Sequence, residues 1–107
     1  MENLVINKLI EKLLNCFLAC EDCYTACLNE EDVNLMKRCI GLDRDCADIC
    51  LQGVSLLKRN SEIIIPYLTL CEKVCRLCAE ECVKHEAEHC KLCAAACVAC
   101  ADACQIN

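Results

Sequence analysis

Apolar residues recur at helical intervals through the first part of the chain: Leu4, Ile6, Leu9, Ile10, Leu13 and Leu14, interrupted by Asn7, Lys8, Glu11 and Lys12. At Cys16 the stripe changes chemistry but keeps its period. Cys16, Cys20, Cys23 and Cys27 follow at steps of four, three and four, and stepping back from Cys16 by three and then four reaches Leu13 and Leu9. A turn of ~3.6 residues returns such steps to one face, so the pattern predicts a first helix over residues 3–28. Asn29 can end it, and Glu30, Glu31 and Asp32 suit the N-terminus of a second helix, expected over residues 32–58. There Cys39, Cys46 and Cys50 share a face; the skipped turn carries Leu42 and Asp43, and Gly53, Val54 and Leu57 continue the face. Lys58 and Arg59 fit its C-terminus.

Asn60 and Ser61 form a break, with Ser61 the expected N-cap of a third helix over residues 62–84. Pro66 lies in its first turns, where proline is tolerated, or marks its start. Ile64, Tyr67 and Leu68 lead into Cys71, Cys75, Cys78 and Cys82, again at steps of four, three and four. After the short link Lys84-His85-Glu86 a fourth helix is expected over residues 86–105. Its stripe is Cys90, Cys93, Cys97, Cys100 and Cys104, set among alanines, the strongest helix formers.

All 16 cysteines fall on these four helices, in stripes of 11 to 14 residues, roughly 17 to 21 Å long. Short links make neighbours antiparallel. The expected fold is all-α: an antiparallel, up-down-up-down four-helix bundle with a Cys-lined core, one domain over residues 1–107. Helices one and three share a cysteine pattern, so the chain reads as a doubled helical hairpin. Cys27, Cys39, Cys82 and Cys90 are expected at one end, and Cys16, Cys50, Cys71 and Cys104 at the other. Leu9, Leu13, Val54, Leu57, Ile64, Leu68 and Ile106 gather beyond the second end as a dry plug; Met36, His85, His89, Glu30, Glu31 and Glu86 surround the first as a polar mouth.

Composition sharpens this picture. With 2 Gly, 1 Pro and no Trp, the chain lacks the turn residues of loop-rich disulfide scaffolds. A net charge of -6 and the absence of a basic cluster argue against nucleic-acid binding. The N-terminus has no basic region and its apolar run is broken, so no secretory signal is expected. No stretch reaches the ~18 uninterrupted apolar residues of a membrane span. A cytoplasmic location is therefore expected, where thiols stay reduced.

Reduced thiols in this number favour soft-metal ligation. Cysteine used only as a small hydrophobe would not explain why it takes nearly every mid-core position while Leu and Ile fill one end. Four zinc ions on 16 thiolates would leave about eight uncompensated negative charges in the core, a heavy desolvation cost. Cu(I) is held by two or three sulfurs and carries one charge, so about one ion per thiolate gives a neutral core. Iron–sulfur clusters prefer cysteines on wrapping loops, whereas Cys20 and Cys23 belong to a longer helical stripe. An iron–sulfur electron carrier and a thiol redox or zinc buffer remain as alternatives; no nucleophile–base pair suggests an enzyme.

The stretches Arg38-Cys39-Ile40-Gly41-Leu42-Asp43-Arg44-Asp45-Cys46-Ala47-Asp48-Ile49-Cys50 and Lys84-His85-Glu86-Ala87-Glu88-His89-Cys90-Lys91-Leu92-Cys93 resemble signature segments of the cytosolic bacterial copper-storage proteins. The resemblance covers roughly residues 14–104. It implies a four-helix bundle with inward cysteines, many Cu(I) ions along the core, and assembly into homotetramers. Those proteins often carry more cysteines on the first helix; here Leu9 and Leu13 occupy that continuation, which implies fewer ions at the closed end. The ligand set expected is the 16 cysteines with His89 and, less directly, His85, which precede Cys90 by one and five residues. Met36 is expected in the core rather than on metal, and Asp43 as a cap on the gap in the thiol stripe more than as a ligand. Asp45, Asp48 and Glu80 are expected on solvated or subunit faces. Outward apolar residues Ile10, Leu14 and Leu18 agree with self-association. A copper chaperone or a small-thiol carrier is the expected delivery partner.

Overall fold

A computed structural model describes residues 1–106. Helices α1 (Asn3–Leu28), α2 (Lys37–Lys58), α3 (Ile64–Cys82) and α4 (Glu88–Ala103) make up the fold, and no strand occurs among the described residues. Each helix packs on its two sequence or closing neighbours: α1 on α2, α2 on α3, α3 on α4, and α4 on α1. Among the described residues the backbones of the diagonal pairs stay apart, so the four axes form a square in section, and α2 meets α4 across it through core side chains. The body measures 45 × 17 × 17 Å, which leaves room for a single file of side chains along its axis.

That file is cysteine. All four stripes turn inward as their periodicity requires, and 15 of the thiols are 0% exposed. At one end the file gives way to hydrocarbon: Leu9, Leu13, Leu56, Leu57, Ile64 and Leu68 are buried, with Val54, Tyr67 and Ile106 packed against them. Gly53 lets this end close tightly: a β-carbon on it would lie 3.2 Å from Leu13 and 3.4 Å from Tyr67, so those side chains would have to give by a few tenths of an ångström. The Tyr67 hydroxyl donates to the Ile49 carbonyl at 2.6 Å and pins α3 to α2.

The helix ends differ from the sequence expectation in ways that have local causes. The second helix does not start at residue 32: one 3-10 turn, Val33–Met36, precedes α2, and it swings Met36 into the core at 6% exposure. The third helix begins at Ile64 rather than 62. Pro66 is then its third residue, where the amide has no intrahelical partner to lose. Ser61 does not cap α3; its hydroxyl accepts from the Ile63 amide at 3.3 Å, before the helix begins. Asn60 takes a left-handed conformation (φ 51). This lets the Ser61 amide reach the Leu56 carbonyl and the Asn60 amide the Leu57 carbonyl, the paired bonds of a Schellman cap. The fourth helix is shorter than expected, beginning at Glu88 and ending at Ala103. Asn29 closes α1 as anticipated.

Ion pairs fasten adjacent helices from outside. Arg44 of α2 pairs with Glu21 of α1 and with Asp48, and lies 5.1 Å from the ring centre of Tyr24. Arg76 of α3 pairs with Glu72 at 3.0 Å and with Asp102 of α4 at 3.1 Å. Exposed pairs contribute at most about 1 kcal/mol each, so the plug and the thiol file carry more of the stability. Leu13→Ala, at a fully buried plug position, is expected to cost the reduced apo-protein about 2–5 kcal/mol. Val83→Ala, at a site 66% exposed, is expected to change it by about 0.5 kcal/mol or less. Urea denaturation of both variants checks the contrast.

Candidate metal centre

The cysteines form one continuous ladder. At the end near the α1–α2 and α3–α4 links, the sulfurs of Cys23, Cys27, Cys39 and Cys90 all lie within 4.8 Å of one another. Cys39 contacts Cys82 at 3.6 Å, and Cys82 lies 4.0 Å from Cys78. Cys78 groups with Cys20, Cys93 and Cys97; Cys20 and Cys97 group also with Cys16 and Cys46. Cys16 and Cys46 group in turn with Cys50 and Cys75, and these last two with Cys71 and Cys100. Cys104 ends the ladder, next to Cys100 and Cys71. At the mouth Cys27, Cys39 and Cys90 group as expected, with Cys23 as the fourth sulfur, while Cys82 joins through Cys39. At the far end Cys16 sits one layer in, 3.7 Å from both Cys46 and Cys97.

Neighbouring sulfurs are 3.6 to 4.0 Å apart. A soft ion held at ~2.3 Å by three or four sulfurs sets those sulfurs ~3.8–4.0 Å apart, so the thiols already stand near ligand spacing. All 16 are free thiols. Burial pushes the Cys27 thiol upward and the Cys90 thiol to about 11, with the Cys39 sulfur adding to both. Without a cation in the file, protonated SH is the favoured form, and it packs as a small hydrophobe.

Asp43 replaces a thiol in the ladder rather than covering a gap from outside. It is 0% exposed. Its Oδ1 accepts from Cys78 at 3.2 Å, Cys93 at 3.4 Å and Cys82 at 3.7 Å, and its Oδ2 from Cys39 at 3.8 Å. Burial, reinforced by the Cys93 sulfur, raises its carboxyl to about 8. The carboxylate thus offers an oxygen donor to the same space the sulfurs line.

The two histidines part company. His89, in the first turn of α4, turns Nδ1 onto Cys23 at 3.4 Å and Cys90 at 3.5 Å, while Nε2 meets Glu30 at 3.0 Å. One nitrogen faces the sulfurs and the other is fixed by a carboxylate, the arrangement that orients metal-binding imidazoles. His85 lies in the α3–α4 link with Nε2 2.9 Å from Glu81. Glu81 is a buried hub (6% exposed) that also takes Arg38 at 2.9 Å and Lys84 at 3.5 Å. Burial alone would raise this carboxyl, but His85, Arg38 and Lys84 hold it below the usual carboxylate range. Glu81 had no place in the sequence reading; its spacing of four from His85 was the available signal. Met36 is a core residue as expected, and Asp45, Asp48 and Glu80 are exposed.

Comparison with known proteins agrees with this geometry. A family model described as copper storage protein matches residues 2–107. The cysteine-rich protein YhjQ of Bacillus subtilis (strain 168), itself uncharacterized, is 41% identical over 96 residues, which span 90% of this chain and 89% of that one. The Cu(I)-bound copper storage protein BsCsp3 superimposes with a TM-score of 0.91 at 39% identity, over 94% of this chain and 95% of that chain. A cytosolic copper storage protein of Streptomyces lividans carrying five coppers gives 0.91 at 38% identity, over 94% and 89%. With a buried ladder of thiols and a match along nearly its whole length, this chain belongs to the copper storage protein family.

Proposed function

We propose that the protein sequesters many Cu(I) ions along its thiol file as a cytosolic reserve, using all 16 cysteines, with His89 as an additional ligand at the mouth. The observation that carries this reading is the overlap of the four-sulfur groups: the ladder offers a run of adjoining soft sites rather than one isolated tetrahedron. Storage is the role of the family, and thiolates occupied by metal offer no free nucleophile for catalysis. The cytosolic setting follows the Streptomyces relative and suits thiols that must stay reduced. Asp43 supplies an oxygen donor in mid-file. His85 serves through Glu81, holding the α3–α4 link against α2, and is not a ligand. Self-association, with four copies expected, covers Leu14 and Leu18 on the outer face of α1, which are 37% and 57% exposed. A copper chaperone or a small thiol delivers the ions.

Anaerobic titration of reduced apo-protein with Cu(I) against a competing chelator tests the storage reading. Tight binding approaching one ion per cysteine is expected; four or fewer ions overturn it. In the same titration His89→Ala is expected to keep the capacity within about one or two ions and to slow loading. His85→Ala is expected to leave both unchanged.

Loading and stability respond oppositely to pH. Metal uptake needs deprotonated thiols, so loading releases protons and weakens as pH falls. For the apo-protein, Asp43 has a folded pKa of about 8, above its unfolded value of ~3.9. Its contribution is full below the unfolded value and is lost as pH rises through the folded one. Apo stability is therefore expected to fall by up to about 1.4 kcal/mol per pH unit between pH ~4 and ~8, from this group. Asp43→Asn is expected to flatten that slope. Denaturation midpoints of both proteins across the window check it.

A further inference from the structure

The thiol that touches solvent is not at the mouth. Cys23, Cys27, Cys39, Cys82 and Cys90 are 0% exposed, beneath the His89–Glu30 pair and the Glu81 hub. Cys104, at the opposite end, is 4% exposed. It forms part of the wall of a cavity of about 410 Å³ with Ile65, Thr69, Glu72, Gln105 and Ile106. The opening has a local cause. Cys104 is the C-cap of α4, and the chain turns away immediately after it, with the Ile106 amide donating to the Cys104 carbonyl at 3.1 Å. The plug draws its residues from α1, α2 and α3, and the cavity lies against α3 and the segment that ends α4.

The cavity size falls in the range of small-molecule sites and is too small to admit a protein domain. Three of its six lining residues, Thr69, Glu72 and Gln105, have polar side chains, and Glu72 is held by Arg76 at 3.0 Å. Behind Cys104 stand Cys100 and Cys71, members of the last four-sulfur group.

We propose that this cavity is a second exchange port, taking a small, polar, thiol-bound Cu(I) complex. The proposal rests on the storage reading above. In the exchange, a Cu–S bond to Cys104 forms as the Cu–S bond to the carrier breaks. The Cys104 thiol proton passes to the carrier sulfur, and copper remains Cu(I) throughout. Cys100 and Cys71 then take the ion into the file, and unloading is the reverse.

Two measurements decide it. Substoichiometric alkylation of native, reduced apo-protein, mapped by peptide mass spectrometry, is expected to mark Cys104 at least ~10-fold faster than Cys27 or Cys90, because thiol reactivity follows access. Equal labelling, or labelling of the mouth thiols first, overturns the port. The second measurement follows Cu(I) uptake from a β-mercaptoethanol complex into wild type and Thr69→Trp, which fills the cavity and keeps every thiol. The variant is expected to load several-fold more slowly to the same capacity; an unchanged rate overturns the port. If Thr69→Trp does not fold, the labelling order in wild type decides alone. A wild-type capacity of four ions or fewer is the distinct result that removes the storage reading itself.

Discussion

The structure depends on one property of the cysteine side chain: protonated, it packs as a small hydrophobe, and deprotonated, it binds soft metal. The same stripe that packs the bundle in the absence of metal is, on the proposed function, the ligand array for metal. A ladder built of carboxylates or imidazoles could not do both, since burying so many of them unpaired would cost far more than the fold can offset. The single buried carboxyl of the file, Asp43, illustrates the limit. It is accommodated because four thiols donate to it and its proton is retained well above the usual range.

The division of labour along the axis follows from that property. Hydrocarbon at the α1 end gives the bundle a conventional core, so the sulfur segment need not supply all the apolar burial. Gly53 permits Leu13 and Tyr67 to close over that core. At the mouth, where chain links cross, charge takes over: Glu81 gathers Arg38, Lys84 and His85, and Glu30 steadies His89. The side walls need only ordinary surface pairs, because adjacent helices are already registered by the sulfurs between them.

The stripes were legible from sequence because steps of three and four residues leave no alternative face, and the bundle follows from four stripes of matched length. Contacts between stripes were not legible to the same degree. Whether Asp43 points into the file or beside it depends on the rotation of α2 about its axis, which residue spacing alone does not fix. Cys16 lies a layer further in than its position at the start of the stripe implies, because cysteine spacing along one helix does not fix its axial offset against the others. His85 and His89 looked paired by spacing, but the break before Glu88 sends one ring to Glu81 and the other to Cys23. Glu81 drew no notice because an acid next to a cysteine on a helix normally faces solvent.

Past the mouth, the four-sulfur groups overlap one another. Cys16, Cys20, Cys46, Cys50, Cys75 and Cys97 each belong to two of the groups. On the proposed function, an ion in one of these groups would draw on donors that its neighbour also needs, and each arrival would rearrange the bonding of those already present. Filled in that way, the interior would resemble less a rack of separate pigeonholes than a growing inorganic polymer cast inside a helical mould, whose inventory is a property of the whole casting.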